Sequence, residues 1–408
     1  MTKKARRKVP ELRFPEFHGD WKTDRADHFL VRYVNPVDVQ LDTEYEQIGI
    51  RSHGKGIFHK EPVTGRELGN KRVYWVHPQA FTVNIVFAWE QAVALTSDAE
   101  KGFIASHRFL MFLPKENRVD LKFILLFFLR KRGKSLLELA SPGGAGRNKT
   151  LGQDNFAELQ ITLPKKEEQE KIASFLETID TRLTQLRRKH ELLQTYKRGV
   201  MQKVFSQQIR FKRDDGKPFP DWENKKLGEV SKKPQYGLGA SAISFDGKHK
   251  YLRITDIDDT TRCFIPNPLT SPDSGISPDY QLQENDLVFA RTGASVGKSY
   301  LYNKEDGEVY FAGYLIRFRI TKANSRFVYY LTLTQQYSKW VLVNSMRSGQ
   351  PGINAEEYSS FPCLIPHKEE QEKIVDFLTA IDKKIEAIAQ QIDLTEQFKK
   401  GLLQKMFV

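Results

Sequence analysis

The sequence predicts an α+β protein: two tandem mixed α/β globules, each followed by a long helix, with the two helices paired as an antiparallel coiled coil of pseudo-twofold symmetry. Three observations predict it. A stretch of chain recurs at a shift of 202 residues, apolar residues inside it fall at sevens, and the regions before each copy mix short apolar runs with turn residues. At 408 residues, with 39% hydrophobic, 12% aromatic and 28% charged residues, the chain has apolar material for about two to four domains of ordinary size.

In chain order, residues 1–19 form an arm made basic by Lys3, Lys4, Arg6, Arg7 and Lys8, with Val9, Pro10 and Glu11 standing where a secretory signal would place its apolar core. The first globule spans 20–163, opening at FPEFHGDW, which ends at Trp21. Its apolar run Phe123 to Leu129 is too short for a membrane span of roughly 20 residues and falls in a helical stretch, Val119 to Arg130. The first long helix occupies 164–207 and a linker 208–220. The second globule spans 221–365, opening at PFPDW, which ends at Trp222; strands are expected within Leu282 to Ala290 and Tyr310 to Ile320, and a helix over Arg326 to Trp340. The second long helix occupies 366–408. The two globules are nearly equal, at 144 and 145 residues.

The repeat is strongest in the helices. From Pro164 to Phe205 against Pro366 to Phe407, 18 of 42 positions are identical without a gap. Before the helices the likeness is fainter: Phe87-Ala88 matches Phe289-Ala290 at the same shift, and Tyr45 with Phe58 matches Tyr251 with Phe264 at a shift of 206. Proline opens each helix and glutamates fill its first turn, both start signals. Ile172, Ile179, Leu186, Leu193 and Val200 fall at sevens, with Leu176 and Leu183 beside them. In the copy the sevens are Ile374, Ile381, Ile388, Thr395 and Leu402, flanked by Leu378, Ile385 and Ile392. A narrow seam on a charged helix needs a partner, and the matching helix is the nearest. Phe175 and Phe377 join the seam residues as candidates for coiled-coil pairing and partner docking. Gly199 and Gly401 are expected to weaken or end the helices, leaving some 34 residues, Lys165 to Arg198, or about 51 Å.

Sixty-four Lys and Arg against 51 Asp and Glu leave +13, which favours a polyanionic partner such as nucleic acid. Two cysteines, Cys263 and Cys363, make no disulfide framework and fit a reducing, cytoplasmic setting. Three glycine-rich basic loops stand out: Ser141–Thr150, Arg291–Ser299 and Met346–Asn354. Glycine admits close backbone approach, while Arg, Asn and Gln carry the paired groups that read base edges. The candidate DNA contacts are Lys55, Arg147, Asn148, Lys149, Arg291, Thr292, Lys298, Arg347, Gln350 and Asn354.

Other chemistries lack their parts. GASVGKS at Gly293 has three residues between its glycines where a phosphate-binding P-loop has four. No GxGxxG follows a strand and no Asn-Pro-Pro-aromatic tetrad is present, so neither a methyl-donor site nor an adenine-flipping one is expected. Glu223 and Lys225 mimic part of a nuclease triad but read as surface charge. Nine histidines show no paired ligand spacing, and no catalytic residue or metal is assigned.

These residues together resemble the DNA-specificity (S) subunit of type I restriction-modification enzymes. The carriers are VPELRFPEF (Val9 to Phe17), the YLRITDI strand (Tyr251 to Ile257), VFARTGASVGK (Val288 to Lys298) and the twin helix starts at Pro164 and Pro366. The first half departs at Trp89-Glu90, where the second has Arg291-Thr292. The resemblance implies two target-recognition domains that each read one half of an asymmetric bipartite double-stranded DNA sequence, with the helices fixing the unread spacer. It also implies no catalysis and no cofactor in this chain. Two methylase (M) subunits docked on the twin helices would use S-adenosylmethionine to methylate adenine N6, and restriction (R) subunits would use ATP and Mg. The competing readings are a stand-alone nucleic-acid-dependent ATPase or nuclease working through Arg291 to Ser299, and an assembly scaffold whose globules bind protein, against which the charge and the loops argue.

Overall fold

Trp21 and Trp222, at which the two globules begin, are each buried in a separate hydrophobic core, and each core contains the far end of the other half's long helix: Leu402, Met406 and Phe407 beside Trp21, and Met201, Val204 and Phe205 beside Trp222. The chain accordingly divides into two units, one taking the chain up to Arg187 together with Gln390–Val408, the other Arg188–Ala389. The unit boundaries cut across both helix segments. This computed structural model describes residues 9–143 and 149–408; the basic residues from Lys3 to Lys8, with Arg147 and Asn148, lie outside them.

In the first unit an antiparallel sheet has the spatial order Leu30–Tyr33, Phe109–Pro114, Phe81–Asn84, Val93–Leu95. A second sheet, ordered Ile57–Thr64, Glu44–Ile50, Ile104–Ser106, Val73–Trp75, shares with it a buried cluster that includes Ile48, Ile50, Ala94 and Met111. The apolar run is a helix, Leu121–Leu129, capped by the Asp120 carboxylate on the Phe123 N–H, and it sends Phe123, Phe127 and Phe128 into the core. The second unit repeats the first layout: Gln235–Tyr236, Leu315–Arg319, Asp286–Ala290, Ser299–Leu301. In both units a two-stranded ribbon ties the start of the globule to the strand before the long helix, Lys22–Arg25 with Gln160–Leu163 and Glu223–Lys226 with Pro362–Ile365.

Several expected elements are shorter than their sequence signals. The Tyr251 to Ile257 stretch is a strand only to Leu252, because the Asp256 carboxylate accepts the Arg253 N–H at 2.8 Å and turns the chain into a 3-10 helix. The Arg326 to Trp340 stretch is two helices, Ser325–Leu331 and Gln335–Asn344, the second begun by Thr334, whose hydroxyl accepts the Tyr337 N–H. The long helices are longer than expected, Lys166–Phe205 and Lys368–Lys405, and run through Gly199 and Gly401. Glycine costs a helix about 1 kcal/mol, and the burial of Met201, Val204, Phe205 and of Leu402, Met406 beyond the two glycines outweighs it.

Within each unit the long helices meet along the seam of sevens, and they run antiparallel. In the first, Lys399 Nζ donates to Asp180 at 2.5 Å and Arg187 to Glu396 at 2.6 Å, rising numbers on one helix meeting falling numbers on the other. In the second, Lys197 pairs with Asp382 at 2.6 Å, the Asp180–Lys399 pair shifted by 202. These pairs are partly exposed, so Asp180→Ala or Asp382→Ala is expected to cost less than about 1 kcal/mol in urea denaturation.

The repeated Glu-Glu-Gln at each helix start is explained by burial. Glu168 accepts from Arg13 Nε and Nη2 at 2.8 and 2.7 Å and from Trp21 Nε1 at 3.3 Å; Glu370 accepts from Arg210 at 3.2 and 2.8 Å and from Trp222 Nε1 at 3.1 Å. Gln169 donates to Pro164 O and accepts the Asp120 N–H, while Gln371 donates to Pro366 O and accepts the Asn324 N–H. Leu12 N–H donates to Lys405 O and Ile209 N–H to Lys203 O, so Leu12-Arg13-Phe14 and Ile209-Arg210-Phe211 are a further repeated element, a clasp over each helix start.

Cys363 is buried and its thiol is pushed up to about 12 by burial, whereas Cys263 is exposed. Ellman's reagent on the native chain is expected to titrate one thiol quickly and the second only on unfolding; two fast thiols would show the Cys363 ribbon to be open.

Candidate nucleic-acid interface

In the second unit the strand Asp286–Ala290 delivers Arg291 to the molecular surface. Its backbone is fixed on both sides: Arg291 N–H donates to Tyr314 O at 3.1 Å and Ile353 N–H donates to Arg291 O at 2.9 Å. Two of the sequence-predicted loops are thereby brought together, since Gly293 N–H also donates to Pro351 O at 2.9 Å and Thr292 bridges Gly352. Arg291, Thr292, Arg347, Gln350 and Asn354 therefore share one region. Within it Asn354 caps the helix Ala355–Ser359, accepting the Glu357 N–H at 2.9 Å, and Arg347 pairs with Glu357.

Lys298 leaves the set. It is buried, and its ammonium donates to Ile257 O at 2.9 Å and meets Asp259 at 2.5 Å. The loop before it is closed by its own bonds, with Val296 donating to Gly293 O, Gly297 to Ala290 O and Lys298 to Ser295 O. Those N–H groups are not turned toward a phosphate. Gly297 has φ +84°, and a Cβ there would lie 2.6 Å from Val341 Cγ1, so glycine serves packing at this position.

Arg291 lies beside a cleft of about 740 Å³ lined by Tyr236, Tyr251, Arg253, Tyr314 and the Gly237–Gly239 turn. Its guanidinium sits over two rings, 5.1 Å from the Tyr236 centroid and 5.8 Å from that of Tyr314. Tyr236 is itself held by its hydroxyl, which accepts the Ala355 N–H. Arg253 is committed to Asp256 through two charge-assisted bonds, at 2.9 and 2.8 Å. Sequence reading missed Tyr236 and Tyr314; the only signal was their aromatic character in a basic, glycine-containing neighbourhood.

In the first unit Lys55 is exposed on the turn between Glu44–Ile50 and Ile57–Thr64, and that turn is tied to the 85–92 loop by His53 N–H to Glu90 O and Gly54 N–H to Gln91 O. Lys149 lies over the Trp89 ring at 5.5 Å, on the same loop. Lys55 and Lys149 thus converge, while Arg147 and Asn148 fall outside the described residues. The counterpart of Arg291 is Ile85 and not Trp89. Ile85 N–H donates to Arg108 O and Leu151 N–H to Ile85 O, the same two bonds that hold Arg291. This equivalence has a shift of 206, the shift that already related Tyr45 to Tyr251, so the uniform 202 placed the loops four residues out of register.

On the long helices, Ile172, Ile179, Leu186, Ile374, Ile381 and Ile388 are buried, and Leu193 is half-buried. Phe175 and Phe377 are half-covered by the clasps, edge-on to Phe14 at 5.7 Å and to Phe211 at 5.8 Å. These nine serve the interior; they do not form an open docking face. The apolar groups left open are Leu192 and Tyr196, and at the shift of 202 Leu394 and Phe398, all more than half exposed. The signal for them was identity or likeness between the copies at positions off the sevens.

Among the described residues no helix is long and apolar enough to cross a membrane, and no group of three His, Cys, Asp or Glu is placed to hold a metal. The chain is 24% identical to the type I restriction enzyme MjaVIII specificity subunit of Methanocaldococcus jannaschii over 96% of this chain and 94% of that protein. It is 24% identical over 46% of its length to the HindI specificity subunit of Haemophilus influenzae, covering 41% of that protein. Its fold is shared with the HsdS subunit from Thermoanaerobacter tengcongensis (TM-score 0.52, 18% identity, 95% and 96% of the two chains). The type I restriction-modification S subunit from M. genitalium is similar too, with TM-score 0.57, 16% identity, and 98% and 99% covered. The family described as type I restriction modification DNA specificity domain matches residues 73–194 and again 220–397. With one match in each half, on a scaffold whose clasps, buried glutamates at the helix starts and antiparallel seams also occur twice, the chain belongs to the type I restriction-modification DNA-specificity family.

Proposed function

We propose that this chain reads an asymmetric, bipartite double-stranded DNA sequence, one half-site per unit, and that its paired helices set the length of the unread spacer. The observation that carries this reading is selective divergence. Residues that build the scaffold recur (Arg13 and Arg210, Glu168 and Glu370, Asp180 and Asp382), while the surface loops differ, as Ile85 differs from Arg291. Two unlike readers on one frame specify two unlike half-sites at a set distance, where symmetric dimers specify repeats. The chain performs no chemistry itself on this reading. Two methylase subunits, using S-adenosylmethionine, would methylate adenine N6, and restriction subunits would supply ATP- and Mg-dependent cleavage. The open apolar pairs Leu192/Tyr196 and Leu394/Phe398, one pair per unit, suit two equivalent methylase contacts. The closed loop at Gly293 and the buried Lys298 argue against nucleotide binding by this chain.

The test is single-molecule sequencing of modified adenine in genomic DNA from cells with and without the gene, the methylase partner being present. One bipartite motif with a fixed gap is expected to lose methylation with the gene; no change in any adenine motif would refute the proposal. DNA binding by the complex is also expected to weaken steeply with salt, because phosphate contacts release counterions. Affinity independent of salt would favour a protein-binding scaffold.

A further inference from the structure

Arg291 is a half-buried arginine without a counter-charge among the described residues; Arg130 is another, but it lies over the Phe407 ring in the first core, whereas Arg291 borders an open cleft. Among the described residues its guanidinium makes no hydrogen bond or ion pair, and its Nε is buried without a partner. Its neighbour Arg253 is bound to Asp256, and Arg317 and Arg319 lie against Asp286. A half-buried cation without a counter-charge is costly to keep, and the fold itself does not need it: the same backbone position in the first unit, held by the same two hydrogen bonds, is Ile85, which packs against the core. The position beside it differs as well, with Arg108 in the first unit where the second has Tyr314.

We infer that Arg291 is a base-reading residue of the second unit, offering its planar fork to the two acceptors, O6 and N7, on the major-groove edge of a guanine. The inference rests on the reading of this chain as a DNA-specificity subunit and names what one half-site contains. Three features favour a base edge over a phosphate. The Tyr236 and Tyr314 rings hold the guanidinium in a set orientation, which a base pair demands and a phosphate does not. Its main chain is pinned on both sides, so the fork is presented from a rigid strand end. Finally, a backbone anchor would be needed equally by both units, whereas an apolar residue at this position in one and arginine in the other is what two different half-sites require.

The test uses the full chain in complex with its methylase partner, carrying Arg291→Lys and, separately, Arg291→Gln, with the wild type alongside. In methylated-adenine sequencing, both variants are expected to lose the requirement for a G·C pair at one position of one half-site. The other half-site and the spacer should stay unchanged, which also shows the chain to be folded. Binding to the cognate duplex should fall about 10- to 100-fold, with binding to a scrambled duplex unaltered. Lysine keeps the charge but not the fork, so full activity and an unchanged motif in Arg291→Lys would overturn the inference. So would an equal loss on both duplexes with the salt slope reduced by about one, the mark of a phosphate contact. A wild-type motif that neither variant alters overturns the assignment of Arg291 alone; a wild type with no bipartite motif overturns the reading of the whole chain.

Discussion

Replacing Glu370 with alanine is expected to destabilise the second unit by about 3–5 kcal/mol, the scale for removing one partner of a buried ion pair. The Glu370 carboxylate is fully buried and takes three donors, two from Arg210 and one from Trp222. Its hydrogen bond raises the Arg210 pKa, and without it the arginine's ordinary pKa, above about 12, still leaves the group charged. The variant therefore leaves a cation and an indole N–H without an acceptor at the start of the long helix, and it frees the clasp that Arg210 anchors. Urea denaturation followed by tryptophan fluorescence reads it directly, because Trp222 is one of the donors. The exposed neighbour Glu369 serves as control, with Glu369→Ala expected within about 0.5 kcal/mol of wild type. A loss below about 1 kcal/mol in Glu370→Ala would mean that water or another group replaces the carboxylate. Glu168→Ala should behave alike in the first unit, where Arg13 and Trp21 play the same parts.

Inserting seven residues after Thr184 and seven after Glu386 is expected to lengthen the unread gap in the methylated motif by about three base pairs while leaving both half-sites as they were. Seven residues add about 10.5 Å of helix, and base pairs rise about 3.4 Å each. Seven preserves the phase of the buried seam, so Ile172, Ile179 and Leu186, with Ile374, Ile381 and Ile388, keep facing inward. Methylation at the original spacing should disappear and methylation at the new spacing appear, read by modified-adenine sequencing. An unchanged gap would refute the role of the helices as a spacer. Inserting two residues at each site instead turns the stripe by about 200°, away from its partner, and loss of the folded chain is the expected outcome.

The helix pair was legible because a period of seven is a property of sequence alone; its antiparallel sense is fixed by the Asp180–Lys399, Arg187–Glu396 and Lys197–Asp382 pairs. The helix ends were not. Gly199 and Gly401 carry a breaker's propensity, but the aromatic and apolar residues beyond them are claimed by cores built from distant parts of the chain. The loops Arg291–Ser299 and Met346–Asn354 meet in the second unit, yet Lys298 reads from the sequence as a candidate DNA contact because nothing local reveals that Ile257 O and Asp259 receive its ammonium. The Trp89 equivalence failed for a different reason. A shift fixed by strongly alike helices was carried into loops with a four-residue difference in length, although the Tyr45–Tyr251 match already carried the correct shift. Arg13 and Arg210 were readable and missed, since Leu-Arg-Phe and Ile-Arg-Phe each stand shortly before a tryptophan, eight residues ahead of Trp21 and twelve ahead of Trp222.

The first core contains Trp21, Phe123 and, stacked on Phe123 at 4.9 Å, Phe407, a residue more than 280 positions later in the chain. The order of synthesis therefore matters. The first unit cannot close its core until Leu402, Met406 and Phe407 have been translated, by which point every residue of the second unit, up to Ala389, has already been made. A product lacking residues 402–407 is expected to carry an open first core with Trp21 and Phe123 uncovered. In a cell, such a product is expected to be a substrate for chaperones and proteases.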